Sequence, residues 1–131
     1  VSARLVRSMG PARLTAFGLA TSLAATVVFA LLVALGAPAG WLGVPVFFAI
    51  GALGFVFGNA TALALAAVPR AAGSASAVLG AVQFGLAAGI SPLVSIAGED
   101  TAGPLAIVML ATSVVALVAY GIARSARPRA A

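Results

Sequence analysis

Between Arg13 and Glu99 the sequence carries a single charged residue, Arg70. That near-absence of charge limits the possible folds more than any motif does. A soluble domain devotes roughly a quarter of its residues to charge, because its surface faces water. Here charged residues are 7% of the chain, hydrophobic residues are 63% and the mean hydropathy is +1.24. Such a chain cannot clothe a water-facing surface, and it reads as an all-α integral membrane protein.

The apolar stretch is punctuated. "GAPAG" (36–40), "VPRA" (68–71) and "GEDTAG" (98–103) each bring Gly, Pro or charge, the residues that mark turns. They leave four runs, 14–35, 41–67, 72–97 and 104–123, each about as long as the 20 residues a helix needs to cross a bilayer. Residues 1–13 read as a loop and 124–131 as a tail, on the same side. Pro69 and Arg70 argue for two helices there rather than one. A fused helix over 41–97 would be about 85 Å long. It would also bear an internal proline at about 3 kcal/mol and an arginine at mid-membrane for about 2.5–3.5 kcal/mol more. A turn in water avoids all three problems.

All seven basic residues are arginines: Arg4, Arg7, Arg13, Arg70, Arg124, Arg127 and Arg129. Four crossings put every one of them on one side and the two acids, Glu99 and Asp100, on the other. Arginine excess marks the cytoplasmic face, so both termini are expected to be cytoplasmic in a multi-pass protein of the cell inner (plasma) membrane. The chain begins at Val1; its first residues are not expected to form a signal peptide, and it is expected to be a fragment of a longer protein.

Small residues are patterned inside the spans. Gly73, Ala77, Ala81, Gly85 and Gly89 recur every fourth position of the third span, and Gly51, Gly54 and Gly58 lie in the second. Four-residue spacing keeps a set on one helical face, where another backbone can approach closely. Such faces serve either static packing or an interface that slides. Asn59, Thr61 and Gln83 are the notable polar groups within the spans. Amides in hydrocarbon need partners, so Asn59 and Gln83 should face protein or a water-filled path. Pro92 is expected to kink the third span near its outer end. The first and last spans, plain apart from small hydroxyls and Tyr120, read as lipid-facing supports.

Chemistry is sparse. With no cysteine, histidine or lysine, the chain has no disulfide, no base for a serine nucleophile and no soft metal ligands. Neither a dinucleotide fingerprint nor a phosphate loop is present. No catalytic residue, cofactor or metal is therefore expected. The arginines punctuate apolar runs without forming a basic face, so no nucleic-acid partner is expected either. Four-span multidrug exporters of the small multidrug resistance type depend on a glutamate in their first span, and this first span has no acid.

Two stretches carry a family resemblance. "ARLVRSMGPARLTAFG" (3–18) resembles the loop between helices eight and nine of major facilitator transporters. "GFVFGNATALALAAVPRAAGSASAVLGAVQFGLAAGISPLV" (54–94) resembles helices ten and eleven of the Bcr/CflA group of drug:proton antiporters, with "NATALAL", "AAGSASA" and "PLV" in order. Gly58 stands where that group commonly has proline. The resemblance implies the last four of twelve helices, in the C-terminal six-helix half of a major facilitator fold. It also implies a central cavity beside Asn59 and Thr61, and an inter-half interface along the stripe 73–89. The coupling acid would lie in the missing N-terminal helices, and the partners would be those helices, a small-molecule substrate and protons. A same-fold carrier of sugars or metabolites, and a small four-helix scaffold or assembly protein, are the alternatives.

Overall fold

The computed structural model describes residues 10–95 and 102–126. Arg4, Arg7, Glu99, Asp100, Arg127 and Arg129 lie outside them, as do the ends of the loop and tail expected from sequence. The described residues form four long helices and no strand: α1 (Pro11–Ala34), α2 (Ala39–Ala66), α3 (Ala72–Ser95) and α4 (Gly103–Ser125). All four are long and apolar enough to cross a membrane. The protein is all-α, as composition requires.

Local sequence explains each boundary. Pro11 opens α1 at its first position, where proline's fixed φ suits a helix and its missing N–H costs nothing. The helix therefore begins three residues before the apolar run does. Gly36 ends it with φ +66°. Its N–H donates to the Val33 carbonyl at 3.0 Å, and that of Ala37 to Leu32 at 2.9 Å. This pair of bonds is the Schellman motif, which needs a left-handed residue where Gly36 stands. Pro38 follows and caps α2. At the other end of α2, Val68 is kept out of the helical region (φ −135°, ψ 60°), as the proline after it favours. Pro69–Ala71 then make one 3₁₀ turn into α3. The 41–97 stretch is two helices.

Both internal prolines are accommodated within their helices. Pro45, buried in α2, lacks the N–H that would bond the Trp41 carbonyl. Pro92 does the same to Ala88 in α3, and the helix continues through it to Ser95.

Packing is uneven. α1 packs extensively on α2 and next on α4, whereas α3 touches its neighbours sparsely. Leu14, Thr15, Gly18, Leu19, Ser22, Ala25, Thr26 and Phe29 of α1 are buried. On α2 the buried residues are Pro45, Ala49, Ala52 and Asn59, one face at helical spacing. α1 is thus the hub of the described fold and not the plain outer support that its composition suggested. No described residue of α3 is buried. Large apolar side chains face outward on every helix, among them Phe47, Phe84, Ile107 and Val115. Such a surface belongs against lipid or other apolar helices, since soluble monomers rarely expose contiguous apolar patches above a few hundred Å².

Candidate functional site

Among the described glycines, Gly18 is the one whose Cα is closely covered by another helix, where α1 crosses α2. A Cβ on Gly18 would stand 2.8 Å from Val56 Cγ2, 3.1 Å from the Ala52 carbonyl oxygen and 3.3 Å from Phe55 Cβ. Only glycine fits there without displacement. Sequence reasoning missed this contact, although a signal exists: Gly18, Ser22 and Ala25 follow one another at four- and three-residue spacing on α1. The small residues that pattern reading did single out behave differently. A Cβ on Gly51, Gly54, Gly58, Gly73, Gly85 or Gly89 would meet nothing within 4 Å. Ala77 and Ala81 are exposed. Among the described residues, both small-residue faces stand open.

The polar candidates are not brought together. Asn59 is buried on the α2 face that packs against α1, and its Nδ2 donates to the Phe55 carbonyl at 2.7 Å. Thr61 is two residues on, about 200° around the helix. That turns it toward the side bearing Gly51, Gly54 and Gly58, and it is half-buried. Gln83 is exposed on α3. It lies two residues from both Ala81 and Gly85, on the face opposite the small stripe. One partner cannot cover both the stripe and the amide.

The two ends of the bundle differ in chemistry. At one end the start of α1 meets the ends of α2 and α4. Ala12, Thr15, Leu63, Ala64, Tyr120 and Arg124 line a crevice of about 260 Å³ there. The Tyr120 hydroxyl donates to the Ala12 carbonyl across it, and the Thr15 hydroxyl donates to Pro11 at 2.9 Å. Arg13 stands on the first turn of α1 and Arg70 just beyond α2, so all three described arginines belong to this end. The other end has an apolar groove of about 500 Å³ lined by Val28, Leu32, Trp41, Pro45 and Phe48, with Thr21 as its one hydroxyl. Among the described residues no cluster of His, Cys, Asp or Glu could hold a metal.

No protein-family model, curated protein or solved structure matches the chain. The geometry carries the functional argument. It offers a hub built on α1, two open small-residue faces, and one arginine-bearing end.

Proposed function

We propose that the chain is the C-terminal part of a major facilitator transporter that exports drugs or other amphipathic small molecules by proton antiport with alternating access. The observation that carries this reading is α3. It is patterned with small residues for close helix contact, yet buries none of its described residues within this chain. Further helices would supply what α3 lacks, and the resemblance of residues 54–94 to helices ten and eleven of the Bcr/CflA group says which helices. In that arrangement the stripe from Gly73 to Gly89 meets the N-terminal half. The open face of α2, with Gly51, Gly54, Gly58 and Thr61, borders the substrate path. Asn59 lies buried on the α2 face toward α1, its amide satisfied within its own helix. The arginine-bearing end is cytoplasmic, in the inner membrane.

The test begins with the reading frame upstream of Val1. It is expected to encode about eight more apolar spans of some 20 residues, at least one carrying an acid. Everted vesicles containing the product should then accumulate a fluorescent cationic dye when energised, and lose that uptake when a protonophore collapses the proton gradient. A start codon immediately before Val1, or uptake indifferent to the protonophore, would falsify the reading.

A further inference from the structure

We propose that the crevice at the arginine-bearing end holds one anionic phospholipid, with its phosphate on Arg124 and an acyl chain lying between α1, α2 and α4. The inference rests on the chain lying in a bilayer and is independent of its being a transporter. The crevice sets side by side the two chemistries that such a molecule needs. Its walls are mostly apolar, contributed by Ala60, Leu63, Ala64 and Ala123. The hydroxyls of Thr15 and Tyr120 also line it, but both are already donated to carbonyls of α1. Arg124 is the one cation on the lining. It follows Tyr120 by four residues and so rises from the same face of α4. Its planar fork can grip a phosphodiester with two parallel hydrogen bonds, which an ammonium cannot do.

Among the described residues there is no Asp or Glu to pair with Arg124. Arg13 and Arg70 strengthen the positive field at the same end. Basic pockets between membrane helices are established sites for anionic headgroups, and such lipids are concentrated in the leaflet that the arginine-rich end is expected to face. An apolar crevice without Arg124 would suit any lipid chain; with it, the crevice selects for charge.

Native mass spectrometry of the intact protein, with phosphatidylglycerol and phosphatidylcholine in competition, tests the assignment. The wild type should retain one phosphatidylglycerol in preference. R124Q should lower that preference by about five-fold or more, equivalent to about 1 kcal/mol, and R124K should restore part of it. R70Q removes the same charge at the same end, but from a separate surface beside Val68 and Pro69. It should change the preference by less than about two-fold, as exposed charges do. Filling the crevice with A64W should expel the lipid while Arg124 remains. Equal losses in R124Q and R70Q would mean diffuse surface charge and overturn the proposal. Displacement by millimolar inorganic phosphate, or no preference in the wild type, would overturn it as well.

Discussion

The phenol of Tyr120 donates a hydrogen bond to the backbone carbonyl of Ala12 at 2.5 Å, joining positions 108 residues apart in the chain. It ties the end of α4 to the start of α1. The Ala12 carbonyl also lies within the helical ladder of α1, so losing the phenol strands no buried group. Tyr120→Phe should therefore lower the stability of the intact protein by about 0.5–1.5 kcal/mol, the net worth of one hydrogen bond. Denaturant titration in mixed micelles measures it. A cost above about 3 kcal/mol would require the hydroxyl to have further partners.

Gly18 should be the most sensitive glycine of α1 and α2. Gly18→Val forces a side chain into Val56 and the Ala52 carbonyl, and overpacking of this kind costs about 1–3 kcal/mol. Gly54→Ala meets nothing within 4 Å of its new carbon among the described residues. In the isolated chain it should be neutral. In a longer protein whose other helices cover that face, it should become costly, so comparing the two measures the coverage directly.

Asn59 and Thr61 should separate in their effects because they face different sides of α2. Asn59→Ala removes the bond to Phe55 and should cost about 0.5–1.5 kcal/mol of stability, while transport per folded molecule is preserved. Thr61→Trp projects bulk onto the open face, so expression should survive and dye efflux should fall. The reverse pattern would put Asn59 on the path and Thr61 in the packing.

Trp41 is the only tryptophan and is 66% exposed near the start of α2. If α2 spans the bilayer, this indole sits at the interface, where tryptophan's apolar ring and polar N–H are both accommodated. Lipids brominated near the headgroup should quench its fluorescence more than lipids brominated near the chain ends. The opposite order would show that α2 does not begin at the membrane surface.

The number of long helices, their approximate limits and the break at Pro69–Arg70 were legible in the sequence, because the length of each apolar run and proline geometry impose them. Which way each helix faces was not. In a water-soluble helix the polar residues mark the outside; around α1 and α2 nearly every side is apolar, so periodicity carries no direction. This is why α1 passed for a support although it is the hub. It is also why Gly18 was overlooked while Gly51, Gly54 and Gly58 drew attention through their spacing. Asn59 was legible as a residue needing a partner, but that the partner would be its own helix, at Phe55, depended on its rotamer. Tyr120 stood out only as the exception in a plain last span, and its bond to Ala12 depends on α4 returning to α1, which no local pattern encodes.

That return has a consequence for how the protein is made. The ribosome delivers α1 and α2 in succession, and they can join at Gly18 as soon as both are in the membrane. The second face of α1 must wait for α4, the last of the four to be synthesised. At 5–20 residues per second, the chain from Ala66 to Ser125 takes about 3–12 s to emerge. Throughout that interval α1 is a half-clad helix, with Thr15 lacking the Tyr120 and Ala123 side chains of α4 beside it. A nascent chain that stalls or is cut before Tyr120 would leave that side of α1 uncovered, so the pairing of α1 with α2 is made first and the closure by α4 afterwards.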